Sequence, residues 1–126
     1  MNFSDMLERI KDLLGERKYL ITTHAIFRMS DRGVSMEDLI SLIAEGEIIE
    51  AYPDRKPCPA ALMLGFISAR PCHAVVAICN DRLSIITVYW PDEECWMDCR
   101  TRRLGRIRIF APSVEASCVR DSQNWY

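Results

Sequence analysis

The stretch THAIFRMSDRGVSMEDLISLIAEG, residues 23–46, decides the fold because it predicts two short helices joined at Gly33. Gly33 can adopt the left-handed conformation that ends a helix. Ser35 can then cap the next helix, with Asp38 three residues later in an arrangement like a capping box. Apolar residues recur at helical spacing in this second helix, and Gly46 closes it.

The first helix of this pair has a polar side that could bind an anion or move a proton. On a 3.6-residue turn, His24, Arg28 and Asp31 fall along one side, and Arg32 lies at its margin. The opposite side consists of the apolar residues Ala25, Ile26 and Met29. A structural role is equally open, in which His24 packs at the helix terminus and the arginines pair with nearby aspartates.

The size and composition of the chain predict one domain with its own core. The chain has 126 residues, of which 49% are apolar, and a core of that size needs no metal or disulfide. No apolar run is long enough to span a bilayer, and the N-terminus begins with an amphipathic helix pattern and no secretory signal. We therefore expect a cytoplasmic protein without a membrane partner.

Positive charge is concentrated towards the C-terminus, although the formal net charge of the chain is −2. Five arginines and no acidic residue lie within nine positions: Arg100, Arg102, Arg103, Arg106 and Arg108. Such a patch can bind phosphates whatever the net charge of the protein. A solvated charged strand or tail would have the same composition.

The six cysteines do not form a recognisable metal or disulfide pattern. Paired CxxC motifs are missing, and only Cys95 and Cys99 lie close together in the sequence. Without a secretory signal, we expect reduced thiols and no structural metal.

Outside the central pair, the periodicity predicts one earlier helix and a set of strands. Apolar residues recur at helical spacing between Ser4, the expected cap, and Gly15, the expected end. Residues 18–22 are typical of a short extended link. After Gly46 the pattern predicts four strands, with a bulge expected at Gly65: residues 47–52, 61–67, 73–79 and 83–89. The expected fold is α+β, with two or three N-terminal helices packed on a four-stranded, mainly antiparallel sheet as a two-layer sandwich.

The last two predicted strands bring polar side chains together. If a three-residue loop at 80–82 joins them, His73 lies opposite Tyr89, and Val75 lies opposite Thr87. An imidazole, a phenol and a hydroxyl would then share one face at one end of the sheet. A loop longer or shorter by one residue would break this register. Three arginines follow within fourteen residues of Tyr89 and could reach the same end: Arg100, Arg102 and Arg103.

Histidine, tyrosine and arginine are sufficient for phosphodiester cleavage without a metal. A base removes the proton of a ribose 2′-hydroxyl, an acid protonates the leaving 5′-oxygen, and arginine stabilises the charge on phosphorus. The structural alternatives are ordinary sheet packing for His73 and Tyr89, and core or interface packing for Trp90 and Trp96, either of which could also stack a base.

Four blocks of the sequence, in order, resemble one bacterial family. They are THAIFRMSDRGVSMEDL (23–39), GEIIEAYPDRKPCPAALMLGF (46–66), HAVVAI (73–78) and IITVYWPDEECW (85–96). Together they resemble the domain of unknown function numbered 4258, over about residues 18 to 103. The fold that this resemblance implies is similar to that of RelE-like and MqsR-like ribonucleases. It implies a RelE-like domain over 1–103 and a C-terminal extension over 104–126, where the pattern is no longer recognised.

The resemblance further implies the toxin half of a type II toxin–antitoxin module. Such a protein would cleave messenger RNA, on or off the ribosome, and arrest growth until a zinc-finger or helix-turn-helix antitoxin neutralises it. We expect no cofactor. Our catalytic candidates are His24, His73, Tyr89 and Arg28, and our substrate-binding candidates are Arg32, Thr87, Arg100, Arg102 and Arg103. The alternative is a non-catalytic module that binds protein or RNA.

Overall fold

A computed structural model describes residues 2–92 and residue 100. The elements in chain order are α1 (Phe3–Gly15), β1 (Tyr19–Ile21), α2 (Thr23–Arg32), α3 (Met36–Glu45), β2 (Glu47–Tyr52), β3 (Ala60–Ile67), β4 (Arg70–Cys79) and β5 (Arg82–Tyr89). Three helices pack on one sheet, which confirms the α+β class. Arg102, Arg103, Trp96 and the expected boundary between 103 and 104 lie outside the described residues.

The helix ends follow the predicted capping residues with one exception. Gly33 ends α2 with φ 68°, and its backbone N–H donates to carbonyls of the last turn. The Ser35 hydroxyl accepts a bond from the Asp38 N–H at 3.1 Å, which begins α3. The first helix is capped by Asn2 and not by Ser4, because the Asn2 side chain accepts from the Asp5 N–H at 2.8 Å. The central pair of helices was therefore predicted correctly.

The sheet has five strands in the order β1-β5-β4-β3-β2, so the prediction of four was wrong. The extra strand is β1, within the segment expected to be a link. It pairs in parallel with β5, from Tyr19 opposite Leu83 to Ile21 opposite Ile85. The other neighbouring strands pair antiparallel, as predicted. A three-residue strand has too little alternation to be recognised locally, since its partner lies over sixty residues away.

The sheet separates two buried clusters. The helix-side cluster contains apolar residues of all three helices, among them Met6, Ile10, Leu13, Ala25, Met29, Leu39, Leu42 and Ile43. Alternation along β4 sends Ala74 and Val76 to this side and Val75 and Ala77 to the other. The second cluster lies on the face opposite the helices and includes Ala60, Leu62, Ile86 and Tyr89. We call this the second face.

Gly65 allows α3 to approach the sheet and does not mark a bulge. It pairs regularly with Cys72, and a Cβ at this position would lie 2.7 Å from Leu42 Cγ and 2.9 Å from the Leu42 carbonyl oxygen. The bulges lie elsewhere, between Ile48 and Glu50 on β2 and in the ladder between β4 and β5. The glycine reflects close packing of α3 on β3, which local sequence does not distinguish from a bulge.

Cys58 and Cys79 form a disulfide with Cα atoms 5.3 Å apart, so the expectation of reduced thiols is wrong for this pair. The bond joins the loop before β3 to the end of β4. Cys72 is a free, buried thiol, and the remaining cysteines lie outside the described residues. Within residues 2–92 and 100, no three His, Cys, Asp or Glu side chains are grouped as metal ligands. None of the helices in the described part of the chain combines the length and apolar character needed to cross a bilayer.

Candidate functional site

The ladder between β4 and β5 places His73 opposite Tyr89 and Val75 opposite Thr87, as predicted. The loop and the ladder that produce this register differ from those expected. The loop contains only Asn80 and Asp81, which pairs Cys79 with Arg82. A bulge between the Val75 and Val76 pairs then leaves Ile86 as an extra residue on β5. The bulge shifts the ladder by one residue and restores the predicted pairing at the far end.

His73 and Tyr89 form a hydrogen-bonded pair. Nδ1 of His73 lies 3.2 Å from the Tyr89 hydroxyl oxygen, and the two rings meet edge to face, with centroids 5.2 Å apart. When the imidazole proton is on Nε2, the phenol donates to Nδ1. The exposed fraction is 0% for His73 and 2% for Tyr89 and Thr87. The pair is therefore sealed from water in this conformation.

The pair belongs to a row of side chains that crosses four strands on the second face. Glu47 pairs with Leu64, Leu64 with His73, and His73 with Tyr89. Two strand spacings put Glu47 about 10 Å from His73, with Leu64 between them. Arg100 forms an ion pair with Glu47. Arg100, one of the two predicted substrate-binding arginines among the described residues, thus lies at the end of this row.

A cavity of about 170 Å³ opens beside Glu47 and Arg100. Its lining also includes Leu64 and residues of α3, while His73 and Tyr89 do not line it. Leu64 is the direct cross-strand neighbour of His73. The cavity therefore lies next to the buried pair but is separated from it by the Leu64 side chain.

His24 lies at the start of α2, where this helix flanks β5. The Thr22 hydroxyl donates to the Ile86 carbonyl at 3.1 Å and accepts from the Ala25 N–H at 3.1 Å, which fixes the helix start against the strand. His24 is half-buried two residues later. Its helix packs on the helix-side cluster through Ala25 and Met29, whereas Tyr89 and its partner His73 lie on the second face.

Arg28 and Arg32 do not share the environment of the buried pair. Arg28 lies 3.9 Å from the Asp31 carboxylate. Burial raises the pKa of the Cys72 thiol to about 12. The positive charges of Arg70 and, to a smaller extent, Arg32 lower this pKa but do not offset the effect of burial. The Arg32 carbonyl accepts from the indole N–H of Trp90, which packs against the helix-side cluster, so Arg32 lies on that side of the sheet. His73, next to Cys72 of the helix-side cluster, faces the other way, so the sheet separates it from Arg32.

The model of one protein family, Domain of unknown function (DUF4258), matches residues 21–90, which is more than half of the chain. The chain belongs to this family. The match begins just before α2 and ends just after β5, so it includes His24, Arg28, Arg32, His73, Thr87 and Tyr89. No curated protein and no solved structure matches the chain. The family was thus predicted correctly from the four sequence blocks, while its name assigns no activity.

In this DUF4258 member, sequence reasoning missed Arg70 as a site candidate. The Arg70 guanidinium carbon lies 4.0 Å from the centroid of the Trp90 ring system. The Trp90 indole N–H donates to the Arg32 carbonyl at 3.0 Å. Twenty residues separate Arg70 from Trp90, so no local motif joins them. The predicted ladder could have indicated the contact, because Cys72 and Trp90 continue the row that follows His73 and Tyr89.

Proposed function

We propose that this protein is the toxin component of a bacterial toxin–antitoxin module and acts in the cytoplasm as a metal-independent endoribonuclease. Its substrate would be messenger RNA, free or on the ribosome, and its partner a small zinc-finger or helix-turn-helix antitoxin. The observation that supports the proposal best is the hydrogen-bonded pair of His73 and Tyr89 on the second face.

The pair has the chemical groups that the reaction needs. An imidazole can remove the 2′-hydroxyl proton of a ribose, and a phenol within hydrogen-bond reach can position the phosphate or share the proton transfer. Their neighbours on the second face are mostly apolar, such as Leu62 and Val75. Apolar side chains would fill this space without the desolvation cost of an imidazole and a phenol. A functional role explains why polar groups stand there.

The proposed reaction requires the second face to open. His73 and Tyr89 are sealed from water, so an RNA phosphate cannot contact them in this conformation. His24 and Arg28, one helical turn apart on α2, would contact RNA before the buried pair does. Arg100 would hold a phosphate from the Glu47 end of the row. Arg102 and Arg103 remain predicted phosphate ligands, and Arg32 would bind RNA from the helix side.

The direct test is controlled expression of the chain in a bacterial host without its partner. Wild type should stop growth and leave cleaved transcripts. Tyr89→Phe should abolish both effects, because it removes only the hydroxyl that faces His73 Nδ1. Tyr52→Phe is the matched control, since the Tyr52 hydroxyl lies on the same face but donates to the Glu50 carboxylate. Intact transcripts at full expression of wild type would refute the proposal.

The second candidate function is a non-catalytic module that binds protein or RNA. The burial of His73 and Tyr89 favours this second function, because a buried hydrogen-bonded pair can hold β4 against β5 without any contact with RNA. If this reading is correct, Tyr89→Phe will lower the stability of the fold and leave transcripts as they are with wild type. The same variant therefore separates the two functions, provided that its folding is checked by circular dichroism.

A further inference from the structure

We propose that Arg70, held over the indole of Trp90, is a phosphate anchor for single-stranded RNA at the end of the sheet next to the His73–Tyr89 pair. The inference rests on the proposed ribonuclease function, because it names a surface by which that site would hold its substrate. Neither residue was among the substrate-binding candidates of the sequence.

The position of Arg70 is fixed by the elements around it. It is the first residue of β4 and follows a tight turn in which Ser68 and Ala69 have φ values of 51° and 67°. Its side chain is exposed, yet its guanidinium lies over the Trp90 ring. Trp90 packs against the helix-side core and donates its indole N–H to the Arg32 carbonyl. The aromatic platform is therefore held in place.

A guanidinium stacked in this way suits a phosphate. Stacking occupies one flat face of the group and leaves its N–H donors pointing outward in the plane. Two of these donors match two phosphate oxygens, which gives a charge-assisted bidentate contact. Because the Trp90 platform already restricts the Arg70 side chain, less conformational entropy is lost on binding. A lysine would keep the charge but could neither stack flat nor bind through a planar pair of donors.

The anchor lies at the same end of the sheet as the buried pair. Arg70 precedes His73 on β4 by three residues, which is about 10 Å along a strand. Trp90 directly follows Tyr89. The ladder between the two strands therefore fixes the distance from the anchor to the pair. Arg70 lies on the helix side of the sheet, because it pairs with Ile67 of the helix-side cluster and alternates with Cys72. A strand of RNA held at Arg70 would pass around this end of the sheet to reach His73 and Tyr89 on the second face.

Charges of both signs surround the anchor. Arg28 and Arg32 of α2 and Arg70 of β4 supply three positive charges in this region, and the nearby carboxylates are those of Asp31, Asp38 and Asp92. The Arg28 charge is partly offset by Asp31, at 3.9 Å. Arg70 is the arginine among these that is exposed at the surface, so its guanidinium is the one that a phosphate from solvent can contact.

The test measures binding separately from cleavage. A fluorescein-labelled oligoribonucleotide with 2′-O-methyl riboses cannot be cleaved through the 2′-oxygen, so its anisotropy reports affinity alone. Arg70→Ala should weaken binding about tenfold and reduce the slope of log K against log salt by about 0.7, the value for one phosphate contact on a single strand. Arg70→Lys should keep the slope and still lose most of the affinity. Arg82→Ala is the control, because Arg82 is exposed at the opposite end of the β4–β5 pair.

Several results would contradict the proposal that Arg70 binds an RNA phosphate. They are a wild type that does not bind the oligonucleotide, an Arg70→Ala variant that binds like wild type, and an equal loss in Arg82→Ala. If Arg70→Ala bound RNA like wild type but no longer bound a protein partner, Arg70 would be a contact for that protein and not for RNA. Failure of the proposed function is a separate outcome. If wild type bound RNA through Arg70 but never cleaved natural RNA, the role of Arg70 as a phosphate anchor would stand and the proposed ribonuclease function would be wrong.

Discussion

Tyr89 and His73 place a hydroxyl against an imidazole in a part of the sheet whose other buried side chains are apolar apart from Thr87. Removing the hydroxyl by Tyr89→Phe should lower the free energy of unfolding by about 1–2 kcal/mol, because a buried hydrogen bond is lost without a large change in volume. Urea unfolding followed by circular dichroism measures this. Tyr52→Phe, at a half-buried position, should lower the free energy of unfolding by less than Tyr89→Phe does. Equal losses in the two variants would contradict the importance of the buried pair.

Cys72 is the immediate neighbour of His73 but faces the helices. Burial raises its pKa from 9.0 to about 12, so the thiol should resist alkylation in the native protein at neutral pH and react once urea unfolds the chain. Peptide mapping by mass spectrometry after iodoacetamide treatment identifies the modified cysteine. Rapid native alkylation of Cys72 would contradict its burial.

The same pKa shift predicts a loss of stability in alkaline solution. Between pH 9 and 12 the unfolded chain releases the Cys72 proton while the folded chain keeps it, so the free energy of unfolding falls as the pH rises through this range. Below pH 9 the contribution is fully present. Cys72→Ala should lack this component of the pH dependence.

The strands β4 and β5 illustrate which elements the sequence could predict. The expected loop of three residues predicted the pairing of His73 with Tyr89. The loop length was wrong by one residue, and the unpredicted bulge at Ile86 compensated for the error. The carbonyl of Ile86 accepts a hydrogen bond from the Thr22 hydroxyl at the start of α2, a long-range contact that the sequence pattern of β5 does not reveal. The correct register therefore followed from two deviations that cancel.

The close contact between α3 and β3 depends on Gly65. In Gly65→Ala, the new Cβ would lie 2.7 Å from Leu42 Cγ, so the helix must move or the Leu42 side chain must change rotamer. We expect a loss of about 1–3 kcal/mol in the free energy of unfolding. Gly15→Ala is the matched control, because nothing lies within 4 Å of its added Cβ at the end of α1. A Gly65→Ala protein as stable as wild type would contradict the packing.

The disulfide between Cys58 and Cys79 ties the loop before β3 to the end of β4. It closes a loop of 21 residues, so the double substitution Cys58→Ser and Cys79→Ser should lower the free energy of unfolding by about 3 kcal/mol. Urea unfolding measures the loss, and wild type treated with a dithiol reductant should behave like the double variant. Titration of six free thiols in denatured, unreduced wild type would show that the bond does not form.

At the scale of the whole molecule, the sequence predicted the class, the central helices and the family. It did not predict how the candidate residues would be divided between the two sides of the sheet. His73, Thr87 and Tyr89 share the second face, whereas Arg32 lies on the helix side, where its carbonyl accepts a hydrogen bond from Trp90. Helical periodicity places residues relative to their own helix axis. Which side of a distant strand a helix covers depends on tertiary packing, and here on the unpredicted strand β1.

The same division explains why the arginines were harder to predict than the buried pair. Cross-strand partners follow from a register that the length of the connecting loop sets, so His73 and Tyr89 could be matched. The stack of Arg70 on Trp90 and the pairing of Arg100 with Glu47 join residues at the ends of elements. Their side chains are long and their positions depend on turns, which makes them poorly determined by periodicity.

The most direct measurement is the cleavage of purified RNA by purified protein in the presence of a metal chelator, with the new RNA ends identified by mass spectrometry. We expect wild type to leave a 2′,3′-cyclic phosphate and a 5′-hydroxyl, because the 2′-oxygen attacks the phosphorus without a metal. We expect Tyr89→Phe to be slower by at least about a hundredfold, and Tyr52→Phe to match wild type. Intact RNA with wild type, or equal cleavage by wild type and Tyr89→Phe, would contradict a catalytic role for the pair.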